Sequence, residues 1–416
     1  MSNDELRIDR RKFLGAAAGA AGAAAVGSWA PGALSRPGGP ESPIVTSATL
    51  GIQHFSVRDA TDRVDGAVLG HLGGPTFPED PLDVGPLQPL PGGFPAVFEY
   101  LASVGYTGFE FFNFNQTQFP VGDPRRTPTP ETIRSYLDAA GMRSFGTHTG
   151  GNGLFTSGNR RTQIRYAQML GHEYLGTAGD PTANAPAPPA PGAPPVPGNR
   201  DTMAAWLDAA ENFNIMGELL YHRDGLKIFF HPEGTWWQYF NDPDHPELSR
   251  TQKIDFFTEN TDPRYVLFEI DTYHTYNSRA ARPDPVDASL WDAEAFIKGN
   301  WKRLMGYHVK DANRMVPPEA PPANQYTQTQ NRPGFPLNGG IDAIYALEGQ
   351  LGRGFPADPD PAVMGFRELF TEVRSYRAKG FQYHIVESDA GPGGAADPGR
   401  SLRLAKISAR NLLGLQ

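Results

Sequence analysis

The feature that most limits the fold of this chain is a repeated pattern, in which a helical segment ends in glycine and a short apolar segment follows. Glycine ends helices readily because it adopts the left-handed conformation at little cost. The pattern therefore predicts alternating helices and strands. It occurs five times, with the glycines Gly105, Gly141, Gly171, Gly225 and Gly380 and the apolar segments 109–112, 144–147, 174–176, 228–230 and 383–386.

Three further segments, 49–57, 265–271 and 304–309, bring the number of strand candidates to eight. Amphipathic helical segments such as 131–140 and 203–222 separate most of them. Strands that alternate with helices form a parallel sheet, and eight such units favour a closed (β/α)8 barrel. We predict an α/β protein built on a single TIM barrel, with its functional site at the carboxyl ends of the strands.

Three proline- and glycine-rich segments interrupt the pattern, each just after a strand candidate. They are 70–95, 181–198 and 317–340, and the second contains eight prolines. Their position predicts loop insertions on the catalytic face. For 181–198 two readings stay open, a polyproline-like cover over the site and a disordered surface insert.

The N-terminal segment is typical of a targeting signal. Asp9-Arg10-Arg11-Lys12-Phe13-Leu14 precedes an alanine- and glycine-rich run, and small residues follow at 30–33. This arrangement resembles a twin-arginine signal, since the run is too weakly apolar to be a good membrane span. We expect residues 1–45 to be signal peptide and linker, and residues 46–416 to be the barrel. The resemblance implies the twin-arginine export machinery as a partner, a periplasmic or extracellular location and no stable membrane span in the mature form; a cationic disordered tail is the alternative.

Charge and cysteine content exclude several function classes. The formal net charge is −9, and the chain beyond residue 40 carries −11, because the first forty residues hold five cationic and three anionic side chains. A body this acidic repels phosphate backbones, so nucleic acid is not an expected partner. Because cysteine is absent, any metal ion must be held by His, Asp and Glu side chains.

Metal-ligand residue types follow the apolar segments of four consecutive strand candidates. His231 and Glu233 follow the fifth, Asp271 ends the sixth, His308 lies in the seventh and Glu387 follows the eighth. Because side chains alternate along a strand, either His231 or Glu233 can reach the same ion. Such a ligand set, with no thiolate, suits one divalent ion among Mn²⁺, Mg²⁺, Co²⁺ and Zn²⁺.

Seven short motifs follow one another in order from about Thr49 to the C-terminus. They are Gly51-Ile52-Gln53-His54-Phe55-Ser56-Val57-Arg58-Asp59, Gly105-Tyr106-Thr107-Gly108-Phe109-Glu110, Gly217-Glu218, His231-Pro232-Glu233, Asp271-Thr272-Tyr273-His274, His308-Val309-Lys310-Asp311 and Val386-Glu387-Ser388-Asp389. Together they resemble the sugar phosphate isomerase/epimerase family, the xylose isomerase-like TIM barrels.

The resemblance implies a divalent metal held by Glu233, Asp271, His308 and Glu387, with both glutamates also moving protons. Relatives often read His-Asn-His-Asp-Phe-Glu at the fifth strand, where this chain has Glu233 for the second histidine and Trp236 for the glutamate, so His231 is a rival to Glu233.

Five further residues are candidate substrate contacts, and each has a structural alternative. His54 and His148 either contact a sugar hydroxyl or serve the fold. His274 either contacts substrate or orients the metal ligands. Lys310 either polarises a carbonyl or pairs with a nearby aspartate, and Trp236 either stacks on a sugar ring or anchors a loop.

A divalent ion that binds a ketone oxygen and the adjacent hydroxyl makes the carbon-bound proton between them more acidic. Carboxylates on either side can then remove and return that proton. We expect a metal-dependent isomerase or epimerase of a sugar or keto-sugar that works through an enediolate. A lyase or hydratase acting on 3-keto-glycosides by β-elimination, a phosphodiesterase of the abasic-site endonuclease type and a non-catalytic sugar-binding barrel are the alternatives. The resemblance also makes a homo-oligomer a candidate assembly.

Overall fold

Eight parallel strands form a closed barrel in the computed structural model, which confirms the predicted (β/α)8 architecture. Each strand pairs with the next along the chain, and β8 pairs with β1. The model describes residues 43–61, 92–112, 128–150, 154–155, 157–182, 199–272, 293–310, 370, 383–388 and 399–414. The strands are β1 (Leu50–Gln53), β2 (Gly108–Phe112), β3 (Arg143–Gly150), β4 (Tyr174–Ala178), β5 (Lys227–His231), β6 (Val266–Asp271), β7 (Leu304–Val309) and β8 (Tyr383–Val386).

Helices follow the strands in the described parts of the chain. The α-helices are α1 (Arg58–Thr61), α2 (Phe94–Ser103), α3 (Pro130–Ala139), α4 (Ser157–Leu170), α5 (Met203–Leu219), α6 (Lys253–Glu259), α7 (Ala293–Asn300) and α8 (Arg400–Leu413). Short 3-10 turns lie at Ser47–Thr49, His54–Val57, Gly234–Trp237, Pro246–Arg250 and Trp301–Arg303, and a π-turn at Leu220–Asp224 extends α5.

Local sequence explains where α3 begins and which face it buries. The Thr129 hydroxyl accepts a hydrogen bond from the Thr132 amide at 3.2 Å, and Pro130 occupies the first turn. Both are favourable at a helix start. Ile133 and Leu137 lie four residues apart and are fully buried, so this face packs on the barrel.

Four of the five glycines predicted to end helices have positive φ, as expected for that position. The values are 109° at Gly105, 68° at Gly141, 74° at Gly171 and 68° at Gly225. Gly380 lies outside the described residues. The strand predictions hold because glycine fixes where each helix must end, so the next apolar segment starts a strand.

Apolar side chains form two separate cores. The larger one fills the layer between the barrel and its helices. The smaller one closes the barrel interior and consists of Phe145, Tyr174, Phe229, Met305, Tyr383 and Ile385, which we call the aromatic floor. Its rings are accommodated by small residues on neighbouring strands: a Cβ on Gly176 would lie 2.5 Å from the Phe229 ring. The floor therefore depends on alternating large and small residues.

Two sets of sequence predictions fall outside the described part of the chain. Residues 1–42, and most of the proline- and glycine-rich segments predicted as catalytic-face loops, are not among the described residues. In the part that is described, no helix combines the length and the apolar character needed to cross a membrane.

Candidate metal centre

Four ligand-type side chains meet at the carboxyl ends of β5 to β8. His231 and Asp271 are the last residues of β5 and β6, His308 lies near the end of β7, and Glu387 directly follows β8. All four side chains are buried, and each offers one ligand atom within 4.8 Å of the others. We call this set the mouth group.

Distances in the mouth group fit a divalent ion. His231 Nε2 lies 3.7 Å from Asp271 Oδ2. His308 Nδ1 lies 2.7 Å from Glu387 Oε2. Ligands held at about 2.0–2.2 Å from one ion lie roughly 3–3.5 Å from each other.

Lys310 places its ammonium group beside two members of the mouth group. Its Nζ lies 3.0 Å from Glu387 Oε2 and 3.3 Å from Asp271 Oδ2. The backbone there is fixed by Thr272, whose hydroxyl accepts a hydrogen bond from the Lys310 amide at 2.9 Å. The buried cation offsets part of the negative charge that the two carboxylates bring into the barrel.

Neighbouring charges set the protonation of the mouth group. Burial lowers the pKa of His308, but nearby carboxylates, Glu269 foremost, raise it well above its usual value. Burial raises the pKa of Glu387, and Lys310 and His308 together hold it well below its usual value. Burial and the neighbouring His308 lower the pKa of His231 to about 3, so His231 is neutral and has a lone pair available for a metal ion.

Glu233 lies next to the mouth group, outside the set of four. Its Oε1 is 3.7 Å from His231 Nδ1, and its side chain remains 32% exposed. Strand β5 ends at His231, so residue 233 no longer follows the alternation of the sheet. The geometry thus puts His231 among the buried ligand-type groups and Glu233 on their more exposed side.

A second set of four side chains, which we call the deep group, lies in the same barrel. It consists of Glu110 on β2, His148 on β3, Glu269 on β6 and His308 on β7, all buried. Glu110 Oε1 lies 2.6 Å from His148 Nδ1 and 3.1 Å from His308 Nε2. His308 therefore belongs to both groups, with Nδ1 facing Glu387 and Nε2 facing the deep group.

Sequence reasoning assigned no role to Glu110 or Glu269. The available signal was a carboxylate inside an otherwise apolar strand, because charged side chains are almost never fully buried unless paired. Both have zero exposure. Burial holds the pKa of Glu269 well above its usual value, with Glu110 adding to the effect, and the pKa of Glu110 is lowered by His308 and His148 against the effect of burial.

Two of the predicted substrate contacts, His54 and His148, lie in different surroundings. His54 is buried among Phe94, Phe109 and Phe111 and lies 3.0 Å from the Thr61 hydroxyl. His148 lies in the deep group, 5.2 Å between ring centroids from the parallel ring of His231.

Trp236 has zero exposure and stacks on Phe230, with ring centroids 4.4 Å apart and an interplanar angle of 5°. Its indole N–H donates to the Gly179 carbonyl. The ring thus lies in the larger core. His274 lies outside the described residues.

Comparisons with known proteins agree with the barrel. A sequence profile of the xylose isomerase-like TIM barrel family matches residues 98–399. A solved sugar phosphate isomerase/epimerase from Parabacteroides distasonis is similar over 88% of this chain and 93% of that one, at 16% identity and a TM-score of 0.50. No curated protein matches the sequence.

Two further solved structures are similar at 11% identity. The IOLI protein with a bound zinc atom has a TM-score of 0.46 over 88% of this chain and 98% of that one. A xylose isomerase-like TIM barrel protein from Mycobacterium smegmatis in complex with magnesium has a TM-score of 0.43 over 89% of this chain and 99% of that one.

Proposed function

Because the chain belongs to the xylose isomerase-like TIM barrel family, we propose that it is a divalent-metal-dependent isomerase or epimerase of a sugar or keto-sugar. The observation that carries the proposal is the mouth group, in which four consecutive strands bring two imidazoles and two carboxylates within 4.8 Å. Catalytic residues of TIM barrels lie at this end of the strands.

The ligands in this proposal are His231, Asp271, His308 and Glu387. A bound divalent ion supplies Lewis acidity, which makes a proton on the carbon beside a ketone easier to remove and stabilises the enediolate charge. The metal identity stays open among Mn²⁺, Mg²⁺, Co²⁺ and Zn²⁺, because nitrogen and oxygen ligands of this kind bind all four.

Proton transfer is assigned to Glu233 and Glu387. Glu233 is next to the ligands and partly exposed, so its carboxylate can remove a carbon-bound proton of a substrate that enters from the mouth. Glu387 lies across the mouth group, with its pKa held low by Lys310. We assign to Lys310, whose Nζ lies beside Glu387 and Asp271, the binding of the substrate oxygen that gains negative charge.

Removal of a proton and its return to the other face would epimerise a centre, and return to the neighbouring carbon would isomerise the sugar. A lyase or hydratase that eliminates from 3-keto-glycosides would use the same first step. A phosphodiesterase needs further metal ligands and a basic groove. The deep group provides such ligands, but its four residues are at most 2% exposed.

The test is solvent deuterium exchange into a panel of ketoses and 3-keto-glycosides, with metal analysis of the same protein. We expect about one ion in the mouth group and deuterium on the carbon beside the carbonyl. Glu233→Gln should lose exchange, and Glu259→Gln, at an exposed position of α6, is the matched control. Exchange with loss of the aglycone would make it a lyase. A metal-loaded protein that exchanges no deuterium into any substrate would contradict the proposal.

We further propose that residues 1–45 direct export by the twin-arginine route. The support is the pair Arg10 and Arg11 followed by Phe13 and Leu14. Fusion of residues 1–45 to a reporter should export it, and Arg10→Lys with Arg11→Lys should retain it in the cytoplasm. Equal export of both fusions would rule out this route.

A further inference from the structure

We propose that the deep group, Glu110, His148, Glu269 and His308, is a second cation site that holds a structural Zn²⁺ ion beneath the mouth group. The two sites would share His308, one ring nitrogen for each, so binding of both ions would release both ring protons of His308 to solvent. This inference goes beyond the proposed reaction, because the deep group does not reach the surface from which substrate enters.

The distances in the deep group match a small tetrahedral site. Glu269 Oε2 lies 3.2 Å from His308 Nε2 and 3.8 Å from His148 Nδ1. Glu110 Oε1 lies 2.6 Å and 3.1 Å from the same two nitrogens. Four ligands at 2.0–2.1 Å from Zn²⁺ are roughly 3.3 Å apart, and two imidazoles with two carboxylates leave no open position, as in structural zinc sites.

The buried carboxyl groups of the deep group have few partners within the protein. Both oxygens of Glu269 are buried, and neither makes a hydrogen bond of regular geometry. In the described part of the chain, no lysine or arginine pairs with Glu110 or Glu269; their ion-pair partners there are His148 and His308. A cation bound among these four side chains would give the two buried carboxyl groups the charged partner that the described lysines and arginines do not supply.

The deep group comes from two strand pairs, β2–β3 and β6–β7, that have the same irregularity. Register shifts occur between Phe109 and Glu110 in the β2–β3 pairing, and between Phe268 and Glu269 in the β6–β7 pairing. Such irregularities re-aim side chains and are frequent beside functional sites. Strands β2 and β6 lie opposite one another in an eight-stranded barrel, so the two shifts bring the glutamates to face each other.

The same strand pairing also positions the two histidines, His148 and His308. Glu110 pairs with Gly146 and Glu269 pairs with Gly306, and each histidine follows two residues after its glycine. At both glycines a Cβ would clash with a backbone oxygen of the next strand, at 2.7 Å and 2.6 Å. The strand pairs β2–β3 and β6–β7, on opposite sides of the barrel, therefore each contribute one glutamate and one histidine from equivalent register positions. The four side chains meet in the deep group.

The competing arrangement is a proton shared between the two glutamates, which binds no ion. Metal content of the full chain distinguishes the two. After saturation with Zn²⁺ and removal of unbound metal, we expect two ions per chain in the wild type and one in Glu269→Gln. The mouth variant Asp271→Asn should also keep one ion.

Crystals grown with Zn²⁺ provide a second measurement that needs no variant. Anomalous scattering should show a peak between His148 Nδ1 and His308 Nε2, separate from the mouth group. One ion per chain that is lost in Asp271→Asn and kept in Glu269→Gln, or no anomalous peak in the deep group, would overturn the proposal. An ion lost only in Glu269→Gln would instead support the deep site and contradict the mouth site.

Discussion

Lys310 Nζ lies 3.0 Å from Glu387 Oε2 at the mouth of the barrel, and both side chains are buried. The ammonium group is therefore a fixed counter-charge for the proposed ligands, present whether or not a metal ion is bound. Removing it should affect the metal-free protein most, because a bound cation can compensate the same carboxylates.

Lys310→Met is expected to reduce the free energy of unfolding by about 3 kcal/mol in chelator, and by clearly less with saturating metal. The measurement is denaturant unfolding under both conditions. Lys253→Met is the matched control, because Lys253 is equally buried and pairs with Asp201 at 2.6 Å, away from the mouth group. Its loss should be the same in both conditions. Equal losses for Lys310→Met in both conditions would show that the ammonium and the metal ion do not neutralise the same carboxylates.

His231 and Glu233 are predicted to respond differently to substitution. His231→Ala should lower the metal content of the mouth group, because His231 Nε2 lies 3.7 Å from Asp271 Oδ2 within that group. Glu233→Gln should keep the metal and reduce solvent exchange by roughly 10²-fold or more, as for loss of a general base. Metal analysis and exchange rates on the same samples check both. The reverse result would make Glu233 the ligand.

Trp236 is predicted to act through packing. Trp236→Ala should lower the free energy of unfolding by about 3–5 kcal/mol, because it removes a fully buried ring that stacks on Phe230. Tyr221→Ala, at a residue that is 46% exposed, should change it by less than about 0.5 kcal/mol. A Trp236 variant of unchanged stability that binds carbohydrate more weakly would restore the role of a sugar platform.

Gly176→Ala should destabilise the barrel by about 1–3 kcal/mol, because the added methyl group meets the Phe229 ring of the aromatic floor at 2.5 Å. Gly299→Ala is its control: nothing lies within 4 Å of that Cβ, and the residue is in helix α7. There alanine should be neutral or slightly stabilising. Thermal unfolding of both variants tests whether the floor is as tightly packed as the distances indicate.

Asp255 introduces a pH dependence that does not involve the mouth group. Burial, with a contribution from Glu259, raises the pKa of Asp255 to about 6 in the folded protein. A carboxyl group whose folded pKa is raised destabilises the fold as pH rises from about 4 to 6, because only the unfolded state ionises freely there.

Asp255→Asn should therefore raise the free energy of unfolding at pH 7 by about 1 kcal/mol and leave it unchanged at pH 4. This gain in stability is smaller than the pKa shift alone would give. Asp255 is partly exposed and lies in the first turn of α6, where the helix dipole favours an anion. Denaturant unfolding of the wild type and the variant at pH 4 and pH 7 measures both differences. A gain of the same size at pH 4 would point to packing.

The strands could be predicted because glycine positions such as Gly171 and Gly225 mark where helices end, and their positive φ requires no long-range information. Asp271, His308 and Glu387 could be predicted as neighbours for a related reason. The carboxyl ends of consecutive parallel strands lie together whatever the loops do.

Which residue after the fifth strand joins the ligands, His231 or Glu233, could not be predicted in the same way. Alternation predicts that residues 231 and 233 share a face, but β5 ends at His231 and the chain then turns into Gly234–Trp237. That turn carries Trp236 back into the core. Local backbone geometry after a strand end depends on what the chain packs against, which a residue pattern does not contain.

Glu110 and Glu269 stand out locally as carboxylates in apolar strands, but the fact that they meet has a longer-range origin. They lie on opposite strands, and each directly follows a register shift. Register shifts depend on how two strands fit each other, so no spacing within one strand indicates them.

The aromatic floor affects the order in which metal ions enter and leave the barrel. Phe145 and Tyr383 stack there with ring centroids 3.7 Å apart, and all six residues of the floor are at most 2% exposed, so we expect ions to enter and leave through the mouth. An ion in the deep group would arrive before, and depart after, the ion above it. Chelators should consequently strip the two ions in sequence, and the slow phase should report the residence time of the inner one.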